Sequence, residues 1–337
     1  MKGLAKYITY RALAAVPTIL GLIVVTFVLS HVVPGNPALV VIGPEVNPTE
    51  LKIAEAEMGL NKPLYLQFFI YLFKLLQGNL GYTYIWDQPV SAEIASRFPV
   101  SMELALAALV IAVPIALFLG IGTALRVNKP VDHATRVSSL VAISMPVFWV
   151  GTLMIILFYF YLRWLPPSGQ LNPLLTAPPH ITGMMILDSL FTGNLADLLS
   201  SVRHILMPAI ALSIGLIALL SRILRSGMLD VLGQDYIRTS AAIGLPRRVI
   251  VNKYAFRNAL LPAITVSALY AAGLMGGVVL TESVFAWPGL GYYAYISIQN
   301  TDYPSIMAVV LISGLLFVVI NFLADILYAF VDPRVAL

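Results

Sequence analysis

The chain has 337 residues, 59% of them hydrophobic and 11% charged, with a net charge of +4 and no cysteine. Soluble domains carry about 25% charged residues. This composition therefore excludes a soluble globule and describes a polytopic membrane protein of about six spans plus one sizeable loop, at roughly 20 residues per span. The absence of cysteine excludes disulfides, thiolate metal sites and a cysteine nucleophile. The small positive charge is gathered in loops, which fits an anionic cytoplasmic leaflet rather than nucleic acid.

Lys2, Lys6 and Arg11 flank a first apolar run over 12–33. The run is longer than a signal-peptide core and no small-residue cleavage site follows it, so it reads as a span with the N-terminus inside. Val33-Pro34-Gly35-Asn36-Pro37 breaks it. Residues 34–98 then form a large outside segment. In it Asn47-Pro48-Thr49-Glu50 opens a helix reaching Gly59. The apolar stretch 64–76 is short and carries Lys74, so it reads as a helix at the interface or against other spans.

The second span covers 100–125, with Pro114 inside. A short basic loop over 126–136 follows, then a third span over 137–162 with Pro146 inside. Phe148 and Trp149 read as packing or an interface anchor, with lining of a pathway as the alternative. Residues 163–204 are proline-rich and outside. Asp188, Asn194 and Asp197 exclude a span over 184–199. The fourth span, over 205–220, is short enough to extend past Arg222. The fifth covers 259–281, where Gly273, Gly276 and Gly277 allow another helix to approach. Residues 282–304 lie outside without a basic residue, 305–330 form the sixth span, and 331–337 lie inside. Inside segments hold fourteen Lys/Arg and outside segments six, the asymmetry that sets orientation. The chain divides into an N-terminus with its first span (1–33), an extracytoplasmic segment (34–98) and a five-helix core (99–337).

One loop stands apart. The segment 221–262 holds seven of the twenty basic residues: Arg222, Arg225, Arg238, Arg247, Arg248, Lys253 and Arg257. Ser240-Ala241-Ala242 favours helix, Gly244 with Pro246 breaks it, and a second helix starts at Pro246. Helix, glycine break and helix make a compact knob able to dock into a groove on another protein. The plainer reading is a basic loop that only fixes topology.

Chemistry is sparse elsewhere. No phosphate-binding glycine loop, zincin motif or nucleophile elbow occurs, so this chain is not expected to hydrolyse ATP. His31, His133, His180 and His204 lack metal-ligand spacing; His31 and His204 read as polar tips at span ends. Glu103, Glu282 and Asp325 lie near predicted span ends. Pro114, Pro146 and Pro208 with Gly273, Gly277 and Glu282 mark candidate pathway positions or ordinary kinks and packing.

The stretch DYIRTSAAIGLPRRVIVNKYAFRNALLP resembles the EAA loop of binding-protein-dependent ABC importer permeases, in the version of the dipeptide/oligopeptide/nickel family. Gly244 matches the motif glycine. Arg238-Thr239-Ser240 stand where the generic motif has Glu-Ala-Ala. VPGNP, MGLNKPLYLQF, GNLGYTY, SMPVFWVG, ESVFAWPGLGYYAYISIQNTDYP and the terminal VDPR are similar to family segments, in the same order along nearly the whole chain. The resemblance implies an all-α, six-span permease of the type I importer fold, with the loop 222–258 as its coupling loop. It implies coupling contacts at Asp235, Tyr236, Arg238, Thr239, Ala241, Ala242, Gly244, Leu245, Arg248 and Lys253. It further implies a second permease subunit, two ATP-binding subunits carrying ATP and Mg, and an extracytoplasmic solute-binding protein, at the cell membrane with both termini cytoplasmic. Solutes in such a family are peptides, nickel or oligosaccharides. A stand-alone secondary carrier is the other class to weigh, and an intramembrane enzyme is disfavoured by the missing motifs.

Overall fold

The computed structural model describes residues 2–32, 47, 49, 52–53, 56 and 61–331. The break at 33–37, most of the helix expected over 48–59 and the tail 332–337 fall outside the described residues. Among those described, all regular structure is helical, apart from an isolated bridge between Tyr82 and Pro89. The helices are α1 (Lys2–Val32), α2 (Leu64–Leu76), α3 (Val90–Ala124), α4 (Pro130–Ser144), α5 (Val147–Met154, continuing as a π-helix over Ile155–Tyr161), α6 (Met185–Phe191), α7 (Leu195–Leu232), α8 (Asp235–Ala242), α9 (Arg247–Val249, continuing as a π-helix over Ile250–Ala255), α10 (Phe256–Met275), α11 (Val279–Val284), α12 (Leu290–Gln299) and α13 (Tyr303–Val331). Five helices are long and apolar enough to cross a membrane, and the bent pair α4–α5 makes a sixth.

The centre is a seam of small residues. On α3, Ala105, Ala108, Ala112, Ala116 and Gly120 recur every three or four positions, on one helical face. Small side chains let helix backbones approach in a membrane. At Gly120 a Cβ would stand 2.7 Å from Leu224 Cβ and 3.0 Å from the Ser221 carbonyl oxygen of α7. Three buried layers follow the seam. One joins Val100, Leu104, Ile205, Ala209, Leu274 and Trp287. The next joins Ala112, Ala116, Leu216, Leu220 and Ala263. The last joins Ala124, Met228, Val251, Ala255 and Ala259. The residue order shows α3 and α7 running parallel and α10 antiparallel to both. α13 packs along α10, with Ser313 against Gly276. α1 runs antiparallel to α13, with Leu22 against Gly314 and Arg11 paired to Asp325 at 3.1 Å. α2 lies beside α1 through the Phe27–Phe68 edge contact and does not cross, as expected from its length.

Several expected boundaries are corrected. The second span starts at Val90, not near 100, so the expected division at 98/99 falls within one continuous helix. The third is not a single span over 137–162. Pro146 forces Met145 into an extended conformation (ψ 127°), and α4 and α5 meet at a 100° bend. The fourth span is 38 residues long instead of sixteen. Asn194 caps it, its side chain accepting from the Ala196 and Asp197 amides. The fifth helix stops at Met275, because Gly277 adopts φ +95° and its missing Cβ leaves room for the Gly291 backbone nitrogen, 2.6 Å from where it would sit. Gly276 meets Ser313 closely, but Gly273 has nothing within 4 Å, so the close approach expected there is absent.

Beyond Met275 the chain folds back as a cap. Trp287, 1% exposed, donates its indole N–H to the Val100 carbonyl at 3.0 Å. Glu282 accepts from Ser101 Oγ (2.8 Å) and from the amides of Val278 (3.3 Å) and Tyr292 (3.0 Å). Gly289 is needed there, since a Cβ would collide with both Ser101 Oγ and Glu282. The 163–184 loop is fastened at the same end. Glu103 accepts from the Met185 and Ile186 amides at 3.2 and 2.6 Å. Asp188 accepts from Thr182 N and Oγ1, both 2.7 Å, and from the Gly183 amide at 3.1 Å.

Candidate functional site

At the other end of the core, α7 stops at Gly233 and the chain makes the knob. Gln234 is extended, and α8 follows with Asp235 in its first turn. Ile237 and Ser240 are buried, while Asp235, Arg238, Thr239 and Ala242, spaced three and four apart, share the exposed face. Helical periodicity thus gives α8 one face on the core and one face free.

Gly244 closes α8. Its φ is +82° and open space surrounds its missing Cβ, so conformation and not crowding requires glycine. The Leu245 amide donates to the Ser240 carbonyl at 3.2 Å and the Gly244 amide to Ala241 at 3.1 Å. These paired bonds are a Schellman ending, which satisfies the last carbonyls of a helix. Pro246, extended at ψ 138°, then caps α9.

The knob is seated, not free. Ile237, Leu245, Ile250 and Val251 face Ala124 and Leu125 of α3 and Leu232 of α7 around a hollow of about 390 Å³. Tyr236 is held by Asn258, whose Nδ2 donates to the phenol oxygen at 3.1 Å. Arg248 and Lys253 lie exposed beside α8. The Arg238–Asp235 pair, 3.6 Å apart, is fully in solvent and contributes little.

Eight of the ten expected coupling residues therefore lie on one projection, and Arg248 and Lys253 lie on the helix that follows it. Ala241 and Leu245 turn toward the seat, and the others form or flank the outer face. Two features escaped the sequence reading. Ile243, 72% exposed, is an apolar tip at the apex; its place one residue before the glycine was the available signal. The second is Arg225, bidentate to Asp132 at 2.6 and 2.9 Å. Asp132 also accepts the Asn128 amide at 3.0 Å. This pair fixes α4 to α7 two turns above the knob. Arg222 and Arg225 belong to the membrane helix, so the projecting part of the loop is 233–246.

The expected pathway positions lie on adjoining elements: Val147, beside Pro146 and Phe148, packs against the cluster that holds Leu274, with Val278 beside Gly277 packed on it too. Pro146 marks the α4–α5 break, with Phe148 and Trp149 43% and 45% exposed just after it. Gly273 and Gly277 lie on and beyond α10. Glu282 is 1% exposed and engaged on both oxygens within the cap, which makes it a structural latch in this chain. His204 is buried instead of being an interface tip, its Nδ1 2.7 Å from the Ser200 carbonyl. The His31 side chain lies outside the description. No cluster of metal-ligating side chains occurs among the described residues.

Known proteins resemble the chain along its whole length. Residues 112–337 match the family model described as binding-protein-dependent transport system inner membrane component. Residues 4–105 match the model for the N-terminal part of such membrane components. The probable D,D-dipeptide transport system permease protein DdpB of Escherichia coli (strain K12) is 39% identical over 325 residues, 96% of each chain. The di/tripeptide transport system permease protein DppB of Pseudomonas aeruginosa is 39% identical over 331 residues, 98% of each. The glutathione transport system permease protein GsiC of Salmonella choleraesuis is 33% identical over 330 residues, again 98% of each.

Proposed function

The chain belongs to the family of inner membrane components of binding-protein-dependent transport systems, and on that premise we propose that the 233–253 knob is where ATPase subunits drive it to import small peptides. It is a multi-pass inner-membrane permease subunit of an ABC importer. Membership sets aside the ion-gradient carrier as an independent machine and implies ATPase and binding-protein partners. The finer assembly is part of the proposal: one further permease completing the pathway, two ATPase subunits holding ATP and Mg, and one binding protein delivering solute. Peptides are the favoured solute because relatives at 34–39% identity are dipeptide permeases.

The knob faces the cytoplasm in this reading. The short loops at its end are basic and those at the opposite end are poor in Lys/Arg. The alternating helix directions place the start of α1 and the end of α13 at the same end as the knob.

The observation that carries the proposal is the seated, Schellman-closed projection. Its outer face is free, while Ile237 and Leu245 of its inner face line a hollow with the ends of α3 and α7, and the π-helix that follows packs Val251 and Ala255 against Ala124 and Met228. A push on that face is delivered to the core helices instead of being absorbed by a slack loop. ATP binding closes the ATPase pair, the knob follows, and α3, α7 and α10 tilt as a packed unit between outward and inward access.

Gly244→Val tests it, because a β-branched residue is strongly disfavoured at φ +82°. The full importer with this variant should insert normally and lose solute-stimulated ATP hydrolysis, with Gly244→Asn, which tolerates this conformation, retaining more. Wild-type transport by Gly244→Val would overturn the proposal.

A further inference from the structure

A large cavity lies at the end opposite the knob, and its chemistry is unlike the rest of that end. It is a hollow of about 1100 Å³, the size of a small-molecule site or slightly larger. Three elements wall it. The end of α5 supplies Tyr159 and Phe160. The loop supplies Arg163, Trp164, Ser168 and Asn172. The start of α7 supplies Ser200, Arg203 and His204. No acidic residue lines it. Neither Arg163 nor Arg203 has an ion-pair partner among the described residues.

The walls are preformed. The Asn172 amide donates to Ser200 Oγ at 3.0 Å, pinning the loop across α7. Trp164 packs on Phe158 with ring centroids 6.0 Å apart. Arg163 adopts φ +54°, a conformation that non-glycine residues take rarely and that concentrates at functional sites. His204 donates from Nδ1 to the Ser200 carbonyl, which leaves Nε2 as the ring nitrogen without a role in that bond. Two uncompensated guanidiniums, an imidazole nitrogen and exposed aromatic faces complement a carboxylate, an amide and an apolar side chain.

We propose that this hollow binds the C-terminal carboxylate end of the peptide solute as it passes from the binding protein to the permease. Arg163 and Arg203 grip the carboxylate, His204 hydrogen-bonds to the adjacent amide, and the Tyr159–Phe160–Trp164 shelf takes the last side chain. This assigns to the permease itself a part in selecting solute. A lipid phosphate shares the oxyanion chemistry, but the hollow also presents Ser168, Asn172 and His204 beside its arginines, and these polar groups suit the amide and carboxylate of an organic solute.

The inference rests on the peptide-importer reading, and its test is independent of ATPase coupling. The full-length chain is purified into phosphatidylcholine nanodiscs, and binding of radiolabelled Ala-Phe and of its C-terminal amide is measured by equilibrium dialysis. Ala-Phe should bind saturably and the amide at least tenfold more weakly. Arg163→Gln/Arg203→Gln should lose at least tenfold in affinity for Ala-Phe, and Arg163→Lys/Arg203→Lys should lose less. Both arginines are exposed, so helical content should be unchanged. Equal affinity for peptide and amide, or wild-type affinity in the double glutamine variant, would overturn the proposal, as would no binding to the wild-type chain. A phosphatidylglycerol nanodisc supplies the lipid arm. Retained Ala-Phe binding there supports the proposal, and its loss would reassign the hollow to a headgroup. Failure in any of these arms leaves the Gly244 assay standing.

Discussion

Arg225 is a cation in the part of α7 that continues an apolar run, and one carboxylate makes it tolerable there. Asp132 is fully buried and the Arg225 side chain is 18% exposed. Removing one partner of a buried pair leaves an uncompensated charge, at about 3–5 kcal/mol, whereas replacing both by apolar residues is often neutral. Arg225→Met should therefore lower the melting temperature of the purified chain sharply, and Arg225→Met/Asp132→Leu should recover most of the loss; equal melting temperatures for the two would remove the pair from the account. Titration at the outer end has a worked sign as well. Burial raises the Asp188 carboxyl, but hydrogen bonds from Thr182, Gly183 and Ile181 outweigh it and hold it below the usual aspartate range. Its contribution is complete above about pH 3.9 and is lost as pH falls through the lower folded value. Tyr84 is pushed up to about 12 by burial, then by the Asp302 and Tyr303 charges. Its contribution is present below about pH 10 and is lost as pH rises toward 12. Melting curves should lose their acid limb partly in Asp188→Asn and their alkaline limb partly in Tyr84→Phe.

At the scale of elements, the α4–α5 bend is a local consequence of one residue. Proline restricts the residue before it to extended conformations, and Met145 obeys. Pro146→Ala removes that restriction, and the flanking residues carry no other helix breaker. Spin labels at His133 and Phe158 should then report a longer distance than in the parent chain, and an unchanged distance would mean that packing on α7 enforces the bend. Pro146 was visible in the sequence, but its effect was not. A proline inside an apolar run reads equally as a kink in one span or as a break between two helices, and only tertiary packing decides. The same limit explains α7. Asp197, Arg203 and Arg225 interrupt the hydropathy that locates spans, although each is accommodated where it projects or finds a partner. The Gly244 break of the knob was legible, because glycine, proline and alanine act through local backbone preferences, whereas its start was not, since α7 runs on past Arg222 and Arg225 to Leu232. The outer hollow was not, because its walls come from three separated stretches and meet only in the fold.

At the scale of the whole molecule, α7 joins the two candidate sites. Its 38 residues span about 57 Å at 1.5 Å per residue, against a hydrocarbon core of about 30 Å, so both ends project. One end carries Ser200, Arg203 and His204, and the other leads into the knob. The small-residue seam locks its middle onto α3, and the layers of buried side chains add α10. Close-packed interiors move between discrete arrangements instead of bending smoothly. An ATP-driven push at α8 should therefore reach the outer hollow as a rigid displacement of α3, α7 and α10. Spin labels at Leu199 and Asp230, near opposite ends of α7, should keep a constant separation in the full importer with and without ATP. A Leu199–Asp230 distance that changes with ATP would place flexure inside the helix, at Pro208 or Gly215, and coupling would then pass through bending instead of a lever. Gly215 is the sharper suspect, since the Tyr270 hydroxyl lies 3.0 Å from where its Cβ would sit and donates to the Leu212 carbonyl at 3.1 Å. Tyr270→Phe separates the two cases: it should leave a lever unaffected and loosen a hinge.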